Sequence, residues 1–219
     1  MKRISIYTLS AAFLILLGIT SCSKTTKGKM TDEWKVTSFR SVESVVNIFN
    51  DKYTTTFWTR DNTVLDESVT EQSGEAPSTQ SQTGSVNKHE FTIKKDGTWT
   101  WTSDVTFVNG NTTKNSSKLQ SGTWSFVGKT KGDDFKKNER VLFNVLSTTT
   151  TDVETANQVV VNDHTHTLTY STGENSMVYT IKESKKDLLE MELEEKMVYT
   201  EGAKVSTTTL SQKIVLEGK

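Results

Sequence analysis

Beyond residue 30 the chain is a succession of short stretches in which apolar and polar residues alternate, separated by turn-forming residues. Glu33-Trp34-Lys35-Val36-Thr37-Ser38-Phe39 is the first. Period-two alternation puts successive side chains on opposite faces of a strand, so each stretch predicts a strand with one face on a core. Lys52 to Trp58 and Thr63 to Thr70 lie on either side of Arg60-Asp61-Asn62, which predicts a hairpin. His89 to Ile93 and Thr98 to Val108 flank Lys95-Asp96-Gly97, an Asp-Gly pair that strongly favours a tight reversal. Further strands are expected at Ser121 to Phe126, Arg140 to Thr150, His164 to Tyr170, Met177 to Lys182, Leu188 to Tyr199 and Val205 to Leu216. Two polar stretches read as loops: residues 71–86, which hold Pro77, and Asn109 to Lys118. One segment departs from period two. Val42, Val45, Val46 and Phe49 fall at i, i+3, i+4 and i+7 behind Ser41, a plausible N-cap, and this spacing predicts a short helix. The pattern as a whole predicts about ten antiparallel strands in simple order, with little helix.

The first 30 residues have a different character. Lys2 and Arg3 precede the apolar run Ala11-Ala12-Phe13-Leu14-Ile15-Leu16-Leu17, the layout of an export signal. The run is short for a bilayer span and is interrupted at Ser10, Gly18 and Thr20. It ends in Ile19-Thr20-Ser21-Cys22, which resembles the lipobox of bacterial lipoproteins. That resemblance implies cleavage after a signal peptide, residues 1–21, and acylation of Cys22, which would then hold the protein at a membrane. Residues 22–29 read as a polar tether, and residues 30–219 as one domain. Ser23 stands where an Asp would favour retention at the inner membrane, so the resemblance implies the cell outer membrane, with the periplasmic face expected. Cys22 is the single cysteine, and its acylation leaves no thiol for a disulfide or a metal.

Composition narrows the function classes. Losing residues 1–21 removes Lys2 and Arg3, so 26 basic and 27 acidic residues become 24 and 27, a net charge of −3. No basic field for nucleic acid results. About one residue in six is Thr and only one is Pro, a balance suited to strands.

Several motifs along this layout carry a family likeness. Trp34 follows the tether, then come Lys95-Asp96-Gly97-Thr98-Trp99 and Ser121-Gly122-Thr123-Trp124, and late in the chain Tyr179-Thr180-Ile181 precedes Lys186-Asp187-Leu188-Leu189-Glu190-Met191. The arrangement resembles the lipocalin-like domains of bacterial outer-membrane lipoproteins over about residues 30–217. The resemblance implies an all-β fold, a single antiparallel up-and-down β-barrel of about eight to ten strands. The stretch at 71–86 and the hairpin before it look like insertions.

Candidate chemistry is sparse. Trp99, Trp101, Val105 and Phe107 share one strand face, and Trp124 and Phe126 align the same way on a neighbouring strand. Such a face is either barrel core or the wall of a calyx for an apolar ligand. Trp99, Trp101, Phe107, Trp124 and Phe126 are therefore candidate cavity-lining residues. His164 and His166 share a face but supply two zinc ligands where a catalytic site needs three, and no third is assignable; His89 is merely available. Glu190, Glu192 and Glu194 read as a solvated strand face. Gly128-Lys129-Thr130 lacks the spacing and the following helix of a phosphate loop. No nucleophile elbow or zinc-protease motif occurs, so no catalytic residue, cofactor or metal is assigned. Three functions remain: a carrier of a small apolar ligand, a solid barrel docking an unidentified protein through long loops, and an enzyme whose paired carboxylates leave no linear trace.

Overall fold

The computed structural model describes residues 25–47, 52–61, 63–73, 76–129, 138–201 and 204–219. The expected signal peptide, residues 1–21, and Cys22 lie outside the described residues, as does Phe49. Among the described residues, eleven strands and one helical turn follow in chain order: α1 (Thr26–Met30), β1 (Glu33–Asn47), β2 (Lys52–Asp61), β3 (Val64–Ser73), β4 (Ser78–Ile93), β5 (Thr98–Asn109), β6 (Thr112–Gly128), β7 (Glu139–Ala156), β8 (Val159–Thr169), β9 (Ser176–Ser184), β10 (Leu188–Glu201) and β11 (Lys204–Gly218). Every pairing is antiparallel. The turns follow their residues: Gly97 adopts φ 86°, with the Asp96 carboxylate accepting from the Thr98 amide at 3.0 Å and hydroxyl at 2.7 Å. Asn157 and Gln158, at φ 50° and 68°, make the two-residue reversal between β7 and β8.

The strands form an up-and-down barrel whose two ends have different circumferences. At one end the ring runs β1-β4-β5-β6-β7-β9-β10-β11 and back to β1, eight strands in all. It closes through Trp34↔Phe91 between β1 and β4, and through Trp124↔Phe143 between β6 and β7. Towards the other end β1 leaves β4, and the β2–β3 hairpin fills the space: Ser38 to Asn47 pair with β2, and β3 pairs with Ser78 to Ser85 of β4. On the opposite side β9 pairs only with Glu139 to Asn144 of β7, and β8 takes over at Ser147 to Ala156. The far end is thus a curled ten-stranded wall running from β8 to β10. Those two strands are not paired with each other among the described residues, which leaves a lateral slot.

Bulges mark the height at which this change occurs. Register shifts lie between Val36 and Ser38 on β1, between Val86 and Lys88 on β4, and opposite the Ser121/Gly122 step of β6 on β7. Each inserts one residue and reverses the inward phase, so Trp34 and Val36 are followed inward by Phe39 and Ser41. A bulge bends its strand and raises its twist, which turns the wall outward where the extra strands enter.

The eight-stranded end is solid. Trp34, Val36, Phe91, Ile93, Trp99, Val141, Phe143, Tyr179, Leu189, Met191, Ile214 and Leu216 are buried there as one cluster. Phe91 stacks on Trp99 with ring centres 5.4 Å apart, and Phe143 meets both edge-on at 5.2 and 5.3 Å. Met30 of α1 plugs the bottom, and its carbonyl accepts from the Trp34 indole at 3.0 Å. The plug and the eleven described strands all lie within residues 25–219.

Four expectations are corrected. Residues 41–47 are strand, not helix: Val42, Val45 and Val46 pair with both β2 and β11, and β-branched side chains favour that ladder over a helix. Residues 71–86 are not a long loop, because β3 runs to Ser73 and β4 begins at Ser78. Asn109 to Lys118 is likewise a reversal at Gly110-Asn111 followed by the first half of β6. Thr26 to Lys29, expected as tether, belong to the helical turn that closes the barrel.

Candidate functional site

Above the solid core the ten-stranded half encloses a cavity of about 430 Å³. Its floor is Phe39, His89, Trp101 and Met177, and Val86, Val105, Phe107 and Leu65 rise on the wall. The floor is a stack: His89 lies face to face with Trp101 at 5.4 Å and 13°, and Phe39 meets both edge-on. His89 is 7% exposed, and its Nδ1 and the Trp101 indole N–H are buried with no hydrogen-bond partner among the described residues. A buried polar atom left unpaired costs about 1–3 kcal/mol, so this floor stores a demand for polar contact.

Gly84 makes room for the wall. A Cβ there would stand 2.5 Å from Val105 Cγ1 and 2.7 Å from the Phe107 ring, so only Gly lets these two side chains cross β4. Gly122 serves the core in the same way, since a Cβ would overlap the Asn144 carbonyl oxygen that accepts from the Trp99 indole at 3.1 Å.

Polar side chains line the rest. Lys114 pairs with Asp152 at 3.3 Å, Gln82 donates to Glu67 at 2.5 Å, and Gln120 donates to the Thr148 hydroxyl at 3.2 Å. Lys118 has no hydrogen bond or ion pair among the described residues. Water reaches it through the open mouth, yet the surrounding wall strips enough hydration from its ammonium to lower its pKa. Between floor and core, the Tyr179 hydroxyl donates to Gln212 Oε1 at 2.5 Å, and Gln212 Nε2 donates to Ser41 Oγ at 3.2 Å. Burial, and secondarily the nearby Glu195 carboxylate, push the Tyr179 phenol up.

No family model matches this chain, and neither does any curated protein or solved structure. The geometry therefore has to carry the functional argument alone.

Of the candidate lining residues, the structure places Trp101 and Phe107 on the cavity. Trp99 and Trp124 lie lower, in the solid core, with their indole N–H groups satisfied by the Thr123, Asn144 and Lys94 carbonyls. Phe126 packs against that same core. His164 and His166 sit on the exposed β8, and strand register separates His166 from His89 by β5, β6 and β7. Among the described residues no group of three His, Cys, Asp or Glu side chains could hold a metal. Glu190 and Glu192 form ion pairs with Lys213 and Lys182 on the outer face. Sequence reasoning missed Phe39, Met177 and Lys118 as lining residues, and treated His89 only as an available ligand. The signal that would have found Phe39 is the bulge at residue 37, which reverses the inward phase without a trace in composition.

Proposed function

We propose that this chain is a non-enzymatic, lipid-anchored, lipocalin-like lipoprotein that binds or carries a small apolar ligand in the cell envelope. The observation that supports this most directly is a cavity of about 430 Å³ above a filled core, within the roughly 300–1,000 Å³ of small-molecule sites. Its floor is aromatic, and a few polar groups converge on it, the usual make-up of such a site. The anchor rests on the sequence: Cys22 closes a lipobox-like stretch, and two or three acyl chains suffice to hold a domain at a membrane. The outer membrane, periplasmic side, is the location we infer from Ser23.

A second reading is a domain that docks a protein. The loops that first suggested it are strands, but Val159, Val160 and Val161 of β8 and Met197, Val198 and Tyr199 of β10 are exposed beside the lateral slot.

Residues 23–219, produced without Cys22, separate the two. Native mass spectrometry after incubation with a host lipid extract is expected to show one bound molecule, recoverable by organic extraction, and to lose it in Trp101→Ala/Val105→Glu with the fold intact by circular dichroism. A clean apo mass throughout would refute the carrier reading and direct attention to the β8 and β10 edges.

A further inference from the structure

Two strand edges border the lateral slot, and neither is paired there among the described residues. In an antiparallel ladder, residues that exchange hydrogen bonds alternate with residues whose N–H and C=O point away. The Tyr170 amide donates to the Leu146 carbonyl at 2.9 Å, which makes Thr148/Leu168, Thr150/His166 and Asp152/His164 the bonded pairs of β7 and β8. The N–H and C=O groups of Asp163, Thr165, Thr167 and Thr169 therefore turn towards the slot. Thr149 and Thr167, and Thr151 and Thr165, bring their hydroxyls within 3.0 Å, the closer approach of the pairs in between. On the other side, the Gly218 amide donates to the Asp187 carbonyl at 3.1 Å. By the same alternation Glu194, Lys196, Val198 and Thr200 of β10 turn their backbone groups away from β11 and into the slot. Each edge thus offers four residues of unused ladder.

The side chains along the slot say what fits it. Val159 to Val161 and Met197 to Tyr199 are exposed apolar stretches at its two sides. Asp163 on β8, Glu174 in the turn below it, and Glu194 and Glu195 on β10 stand against Lys196, with His counted neutral. None of these four carboxylates forms an ion pair among the described residues. The neighbouring cations do not balance them: Lys114 is held by Asp152, Lys204 faces Glu201 in register, and Lys118 lies two strands away on β6. A second copy of this chain would bring its own carboxylates to these. We propose that the slot receives an extended segment of another protein, basic and apolar in alternation, which adds as a strand between β8 and β10 and completes the upper barrel. The proposal rests on the docking reading and not on the calyx, so its failure leaves the carrier reading standing.

The probe is a synthetic peptide of alternating lysine and valine, as long as the stretch from Asp163 to Thr169, with a fluorophore at one end. Its anisotropy is followed on titration with residues 23–219, which hold the plug and the eleven described strands. The peptide is expected to bind and to slow hydrogen exchange in β8 and in Glu194 to Thr200 of β10. Methylating its valine nitrogens keeps the charge and removes the donors to one edge, so a loss of at least about tenfold is expected. Thr165→Pro/Thr167→Pro removes only amides that β7 does not use, which an edge strand tolerates, and the same loss is expected with an unchanged circular dichroism spectrum. Glu194→Gln/Glu195→Gln leaves the backbone alone and is expected to weaken binding about fivefold, the size of two partly exposed ion pairs. Equal binding of the methylated peptide, protection elsewhere than β8 and β10, or indifference to the paired Gln substitutions would overturn the inserted basic strand. So would the absence of binding.

Discussion

At the scale of single residues, the boundary between core and cavity is a short polar bridge. Tyr179 is buried, and its hydroxyl, Gln212 and Ser41 satisfy one another across β9, β11 and β1. Tyr179→Phe keeps the ring but leaves the Gln212 oxygen without its donor, so a loss of about 1–3 kcal/mol is expected by urea denaturation. No loss would mean that water already serves the site. Glu195, two residues beyond buried Leu193, is pushed up by burial. A carboxylate raised in the folded state is protonated in both states below the ordinary 4.5 and costs nothing there. As pH rises through that value the unfolded chain ionises first, and stability falls until the folded pKa is passed. Glu195→Gln should therefore melt at the same temperature as wild type at pH 3 and higher at pH 7, and an equal difference at both would refute the burial. Period two told which face Trp99, Trp101 and Phe107 share, but not the height at which the barrel turns hollow. That height is set by bulges on β1, β4 and β7, and a bulge is one extra residue with no composition of its own.

At the scale of elements, the legible strands are those with one dry face. Thr98 to Phe107 alternates because its lower half packs on the core, and the Asp96-Gly97 reversal reads directly from its residues. The strands that escaped notice, the upper parts of β3, β4 and β6, are wet on both faces and rich in Ser, Thr and Gln. Without a core to face they show no alternation, and their polarity resembles a loop. Val42, Val45 and Val46 belong to the same upper half, so their helical spacing was never tested against a buried face. β8 follows from the same logic: it is exposed at every position and has β7 as its one neighbour among the described residues. Its outward-facing amides lack the second ladder that protects a central strand. Hydrogen exchange by mass spectrometry should find β8 exchanging far faster than Val141 to Val145 of β7. Comparable protection would show that another strand covers the slot between β8 and β10 in solution.

At the scale of the whole molecule, one sheet makes a filled eight-stranded cup below and a ten-stranded open wall above. Barrel diameter grows with strand number, and eight strands leave just enough room for side chains to fill the interior. Ten strands cannot be filled by Thr, Ser and Gln, so a cavity is what this sequence leaves when β2, β3 and β8 are added at one end. The two halves should then answer differently to the same chemical change. Phe143→Ala removes a ring that is fully buried between Phe91, Trp99 and Tyr179, and a cost of about 3–5 kcal/mol is expected. Phe107→Ala removes a ring whose one side already faces open space, so the transfer and cavity terms are both smaller and under about 2 kcal/mol is expected. Urea denaturation of the two variants measures the difference. Equal costs would mean that the upper wall closes on itself in solution and packs Phe107 as tightly as Phe143, and such a barrel would have no room for the ligand proposed above.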